Sequence, residues 1–136
     1  MTGEVLVHVS SDADVVAARE KGRELSARLG FSTIDLTLIV TAISEVARNI
    51  LLYAQEGDIE LRLDNNDGHR GIVVVARDEG PGIPDLELAM RDSYSTGNGL
   101  GLGLPGARRL MDEFEIKSEI SKGTTVVMKK WAPDRV

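Results

Sequence analysis

The chain has no cysteine. Disulfides, thiolate metal centres and a cysteine nucleophile are excluded, and the absence suits a reducing cytoplasm, the expected compartment. There is no basic surplus either: 16 Lys and Arg stand against 22 Asp and Glu, a formal net charge of −6. Generic nucleic-acid binding needs a basic face, so no nucleic-acid partner is expected. A bound nucleotide is still allowed, because screening confines charge effects to about 8 Å in cells and local groups decide. No run reaches the ~20 consecutive apolar residues of a membrane span, so no membrane partner is expected. Met1 to Val9 carries no basic region followed by a long apolar run, so no signal peptide is expected. The two histidines, His8 and His69, lack a second histidine or a cysteine at ligand spacing, which argues against structural zinc.

The 136 residues that are present fit one domain, residues 1–136. A chain of this size hides roughly two thirds of its surface on folding, enough for one core without staples. Val5, Val7 and Val9 alternate, so Glu4 to Ser10 reads as a strand. Ser11 or Asp12 can cap a helix from Asp14 to about Leu29, ended by Gly30. On that helix Val15, Val16 and Leu25 are expected in the core. Ser32 or Thr33 caps a second, longer helix running to about Tyr53 or Gln55. Leu36, Ile39, Val40, Ile43, Val46, Ala47, Ile50 and Leu51 recur on it at spacings of three and four and make one apolar stripe.

Ile59, Leu61 and Leu63 alternate with charged residues as a half-buried strand, and Asp64 to Gly68 is a turn cluster. Gly71 to Arg77 is a strand antiparallel to it. Pro84 to Met90 reads as a short helix, Arg91 to Gly103 as an irregular loop, and Leu104 to Phe114 as a helix with Pro105 in its first turn. Glu115 to Ile120 and Thr124 to Trp131 make a final hairpin around Ser121-Lys122-Gly123. About five strands and three main helices, with hairpins among them, predict an α+β two-layer sandwich: one mixed sheet with helices on one face.

Three places can carry chemistry. Glu45 and Asn49 are four apart, so they stack on one side of the second helix. A carboxylate beside a neutral amide oxygen suits a hydroxyl deprotonated next to Mg2+. Asp78 stands where an apolar strand runs into Gly80-Pro81-Gly82. It can accept a hydrogen bond from an amino group such as that of adenine, and Gly80 and Gly82 leave backbone open to a flat base. The third place has five glycines within the ten residues from Gly97 to Gly106, interleaved with leucines and followed by a helix. Unshielded N–H groups ahead of a helix bind phosphates. A Walker loop needs Gly-Lys-Ser or Gly-Lys-Thr, which is missing. Gly101-Leu102-Gly103-Leu104-Pro105-Gly106 matches G-x-G-x-x-G, but the polar feed Arg91 to Thr96 is not the apolar strand a dinucleotide fold requires. A protein-kinase glycine loop needs H-R-D and D-F-G, both absent. An ATP lid remains.

These residues together carry a resemblance. Ser44-Glu45-Val46-Ala47-Arg48-Asn49 resembles the N box of the GHKL ATPase/kinase superfamily (gyrase, Hsp90, histidine kinases, MutL). Asp78-Glu79-Gly80-Pro81-Gly82 resembles its first glycine box, Gly97 to Gly103 its second, and Gly123-Thr124 the Gly-Thr of its last strand. Their order is the family's, and the fold it implies is the Bergerat ATP-binding fold. A free-standing domain of this size is similar to the anti-sigma-factor serine/threonine kinases. Within these, Val16 to Arg19, Ala42 to Ile50, Asp78 to Asp85 and Leu104 to Phe114 resemble the stressosome switch kinases. Asn98 stands where glycine is common there, which bears on lid geometry.

The resemblance implies ATP and Mg2+ as cofactors. Asp78, Gly80, Gly82 and Thr124 are expected around the adenine, Asn49 on the metal, and Gly97, Gly99, Gly101, Leu102 and Gly103 around the phosphates. Arg48 and Lys122 either add positive charge to this site or are solvated surface residues. Glu45 is the expected catalytic residue, orienting or deprotonating the substrate hydroxyl. The implied partners are STAS-domain scaffold or antagonist proteins as substrates, then a downstream effector such as a phosphatase regulator. Two other outputs fit the same residues: an ATP-gated binding module with little transfer, and an ATPase acting on water.

Overall fold

Two serines start the two long helices. Ser11 accepts a hydrogen bond from the Asp14 N–H at 3.4 Å, and Ser32 from the Asp35 N–H at 3.1 Å. Each satisfies one of the amides that a helix start leaves without a partner. The computed structural model describes residues 3–83, 90 and 103–133. In chain order these form β1 (Glu4–Val9), α1 (Asp12–Ala27), α2 (Thr33–Ala54), β2 (Gly57–Asn66), β3 (His69–Asp78), α3 (Gly103–Leu110), β4 (Glu113–Glu119) and β5 (Gly123–Trp131). The predicted helix at Pro84 to Met90, save Met90, lies outside the described residues. So does the predicted loop from Arg91 up to Gly103, which itself opens α3.

The strands form one sheet in the order β1-β2-β3-β5-β4. Every pairing is antiparallel, which corrects the expected mixed sheet. The reason lies in the connections. Two antiparallel helices, not one, separate β1 from β2, so the chain re-enters the sheet reversed. Among the described residues one helix separates β3 from β4, but β5 folds back between them and breaks up the parallel neighbours.

Helices pack on one face. Ile39, Ile43, Val46 and Ile50 of α2 are buried against Ile59 and Leu61 of β2, Ile72 and Val74 of β3, and Val126 and Met128 of β5. Such side chains contribute roughly 1.5–3 kcal/mol each on full burial. α1 lies on α2 with Gly22 at the crossing: a Cβ there would strike Ile43 Cδ1. By length and mean hydropathy, 1.4 over its apolar window, α2 is long and apolar enough to cross a membrane. It differs from the expectation that no segment qualifies, and its apolar stripe is spent on the core. On the other face Val73 and Val75 are also buried. Their cross-strand partners are Arg62 and Lys129 for Val73 and Glu60 for Val75, with Arg62 paired to Glu60 at 3.1 Å.

Two expectations are corrected here. Val16 is 49% exposed rather than core, while Val15 and Leu25 are buried as expected. The third helix stops at Leu110 rather than Phe114, and β4 begins at Glu113. Asp112 forces the change: its N–H donates to the Lys129 carbonyl and its carboxylate accepts from the Trp131 N–H. Those bonds pull the chain onto β5, after which Phe114 and Ile116 alternate inward as strand residues.

Candidate active site

α2 presents Glu45 and Asn49 on the side that meets α3. Glu45 is 7% exposed, and both its oxygens are engaged. Oε2 accepts the Gly103 N–H at 2.8 Å and Oε1 accepts from Arg48 at 3.3 Å. A buried carboxylate needs such donors to remain charged. Arg48 is more than half exposed, so its pairing is partly solvated while Glu45's is not. Asn49 is half-buried one turn on, and no hydrogen bond to its side chain occurs among the described residues. Its amide oxygen is the neutral ligand left on this face.

Asp78 ends β3 and is 9% exposed. Its Oδ1 accepts the Gly80 N–H at 3.0 Å and the Thr124 N–H at 3.3 Å. Among the described residues only Oδ1 is engaged, which leaves Oδ2 as an acceptor of fixed direction. The turn after it is stitched onto the β4–β5 hairpin. The Pro81 carbonyl accepts the Ser121 N–H at 2.8 Å, and Ser118 Oγ accepts the Ile83 N–H at 2.7 Å. Ser118 Oγ also lies 2.8 Å from Thr124 Oγ1. Gly82 has φ +81°, and a Cβ on it would run into the Glu119 carbonyl oxygen. The open space read at Gly82 from sequence is thus filled by the hairpin tip. Gly80 packs on α2, where a Cβ would come within 2.5 Å of Ala54 Cβ.

The structure therefore brings Asp78 and Gly80 to the C-terminal half of α2, the half that carries Glu45 and Asn49. Gly57 tightens the junction: a Cβ there would come within 2.9 Å of Ile50 Cγ2 and 3.1 Å of Asp78 Cβ. Thr124 supports Asp78 through its backbone N–H, with its hydroxyl turned to Ser118. Gly97, Gly99, Gly101 and Leu102 lie outside the described residues, and Gly103 is bound to Glu45. Lys122 pairs with Glu119 at 3.3 Å on the surface.

The donor set fits a nucleotide better than a bare metal. Among the described residues no cluster of three or more His, Asp or Glu side chains could hold an ion. Asn49 offers one neutral oxygen, so Mg2+ there needs phosphate oxygens and water to complete its octahedron. A buried acid at a strand end with one free oxygen suits an exocyclic amino group. Two contributors escaped the sequence reading. Ser118 becomes visible only once the hairpin register opposes it to Thr124. Lys130 had a signal, as a charge in phase with buried Val126 and Met128 on β5.

Residues 9–130 match the model of the histidine kinase-like ATPase domain family. The chain is 47% identical over 131 residues to the serine/threonine-protein kinase RsbT of Bacillus subtilis (strain 168), covering 96% of this chain and 98% of that protein. It is 36% identical to the anti-sigma F factor of Geobacillus stearothermophilus, over 76% of this chain and 75% of the relative. Among solved structures, the RsbU and RsbW domains of Rv1364c from Mycobacterium tuberculosis superpose with a TM-score of 0.59 at 22% identity, over 96% of this chain and 34% of that one. The mycobacterial sensor histidine kinase MprB gives 0.53 at 17% identity, over 99% and 100%. These two likenesses speak to the fold alone.

Proposed function

This chain belongs to the histidine kinase-like ATPase family, and on that premise we propose that it is a serine/threonine protein kinase using Mg-ATP. Its substrates are STAS-domain proteins of a stressosome. Once released from them it binds a downstream effector, as a partner switch in the cytoplasm, with residues 1–136 acting as one ATP-binding kinase domain. The reading is supported above all by the near full-length similarity to a protein named a serine/threonine-protein kinase. The likeness to an anti-sigma factor supports a role in partner exchange.

Within it each residue has a task. Asp78 Oδ2 takes the adenine amino group, held in direction by the bonds to Oδ1. Thr124 and Gly80 fix that acid, and Gly82 seats the turn on the hairpin. Asn49 gives its oxygen to Mg2+, and Gly97, Gly99, Gly101 and Leu102 supply N–H groups to the phosphates, while the Gly103 N–H, expected there from sequence, is spent on Glu45. Bound Mg-ATP supplies the phosphoryl group and neutralises charge as it moves. Glu45 would orient the substrate hydroxyl and receive its proton as that oxygen bonds to the γ-phosphorus and the bond to the bridging oxygen breaks, releasing ADP. A positioned base typically adds about 10²–10⁴-fold, and positioning with charge neutralisation supplies most of the rest.

The test is incubation with γ-labelled ATP, Mg2+ and a co-encoded STAS-domain protein, followed by phosphosite mapping. Label on a partner serine or threonine is the expected result. A stable unlabelled complex would replace the kinase by an ATP-gated binding module, and partner-independent phosphate release would replace it by an ATPase.

A further inference from the structure

α3 is a poor helix by composition. Gly103-Leu104-Pro105-Gly106-Ala107-Arg108-Arg109-Leu110 has two glycines and a proline in eight residues. Each glycine costs about 1 kcal/mol against alanine, and so short a helix does not stand alone in water. Its position is therefore set by what holds it. Leu104, Ala107 and the following Met111 are buried in the core. Beyond them, each end meets a buried charge. At the N-terminus Glu45 Oε2 accepts the Gly103 N–H at 2.8 Å. At the C-terminus Lys130 Nζ donates to the Leu110 carbonyl at 2.9 Å. The signs match the helix dipole at both ends.

Lys130 is out of place unless it does this. It continues the inward row of Val126 and Met128 on β5, and its side chain is only 11% exposed. Asp112, 45% exposed, partly balances it at 3.7 Å. An aliphatic residue would fill the position without desolvating a charge.

We propose that Lys130 is a positioning residue for phosphoryl transfer: by pinning the last carbonyl of α3 it fixes where the Gly103 N–H stands, and so fixes the Glu45 carboxylate. The inference rests on the reading of Glu45 as the base. α3 acts as a strut between the two charges. With the Lys130 end free, the helix shifts on its core contacts, and the Glu45–Gly103 bond is the link that loosens.

The test uses the full chain, comparing Lys130→Met, Lys130→Arg, Glu45→Gln and the Lys130→Met/Glu45→Gln double variant. Met keeps length and packing and removes the charge. Amide exchange of Gly103 in the free protein reads the mechanical half without any kinase chemistry. Lys130→Met should speed that exchange about tenfold or more while the global melting temperature stays the same or rises. In transfer of label to the STAS-domain protein, kcat should fall roughly 10- to 100-fold, the scale of small misplacements of a catalytic group. KM for ATP should hold within about twofold, and Lys130→Arg should recover most of the rate. Because the effect passes through Glu45, the double variant should be no slower than Glu45→Gln, a non-additivity that a merely structural role would not produce. Unchanged Gly103 exchange, an Arg variant as slow as Met, or additive losses would each overturn the role of Lys130. Full activity of Glu45→Gln would instead remove the base, leaving the exchange result to stand or fall by itself.

Discussion

Replacing Asp78 by Asn separates binding from folding, because the two oxygens of that carboxylate do different work. Oδ1 accepts from the Gly80 and Thr124 amides. An asparagine keeps that oxygen and must aim it the same way, since its NH2 would otherwise face two donors. The fold should therefore change by less than about 1.5 kcal/mol, the scale of one ordinary hydrogen bond. Oδ2 becomes the NH2. Against the amino group of adenine, a donor now meets a donor. A hydrogen bond to a charged group, about 1.5–3 kcal/mol, is lost, and a desolvated unpaired donor costs roughly 1–3 kcal/mol more. Together these give about 2.5–6 kcal/mol, or roughly 10²–10⁴ in Kd. Calorimetric titration with ADP measures the affinity, and a urea melt followed by circular dichroism measures the fold. An affinity within threefold of wild type would take Asp78 out of the nucleotide site. A loss of more than about 3 kcal/mol in the melt would mean that the carboxylate's charge holds the β3–β5 junction, and the division between its oxygens would be wrong.

Gly123→Ala should destabilise by about 2–5 kcal/mol in the same melt: φ is +117°, and the new Cβ would meet the Asp78 carbonyl oxygen. Wild-type stability within about 1 kcal/mol would show that the β5 start can swing away. Gln55 closes α2 at φ 69° without being glycine. Gln55→Gly should gain up to about 1 kcal/mol by relieving that strain, and a loss would indicate that the Gln side chain holds the helix end. His8 Nδ1 lies 3.0 Å from Asp58 Oδ1, and the hydrogen bond to that carboxylate raises the histidine's pKa. A raised folded pKa stabilises below the unfolded value of about 6.5 and loses that contribution as pH climbs through the folded one. Asp58→Asn should therefore lower the His8 midpoint in an NMR titration and flatten stability between pH 6 and 8. An unmoved midpoint would assign the shift to other groups.

The elements were legible where one period dominates. The α2 stripe and the β1 and β2 alternations survive in the structure with bounds moved by a few residues. The failures share a cause: a side chain's distant partner decided the outcome. Leu104 to Phe114 reads as one helix because Leu104, Ala107, Met111 and Phe114 are helically spaced. Asp112 ends it by bonding to Lys129 and Trp131, residues far along the chain. Val16 sits beside Val15 with equal apolarity, but about 100° further round α1, on the face left to solvent. At the site, Glu45, Asn49 and Asp78 stand out by type and motif. That Glu45 is bound to Gly103 was not legible, because no sequence spacing encodes a contact across 58 residues.

The glycines divide into two kinds that look alike in sequence. Gly57, Gly80 and Gly123 surround Asp78 from the start of β2, the turn after β3 and the start of β5, and an added Cβ on each would meet Asp78 itself. They are empty because the acid and its neighbours occupy their side-chain space. Backbone from three segments can thus close on one carboxylate, and two of its amides bond to it. An acid so enclosed exchanges flexibility for a fixed acceptor direction, and a fixed direction is what distinguishes an amino group from the carbonyl of another base. On the proposed reading of Asp78 as the adenine acceptor, base selectivity would rest on packing glycines that need never touch the base. Conserving the Asp78 side chain while filling any one of those three positions should weaken discrimination before it abolishes folding.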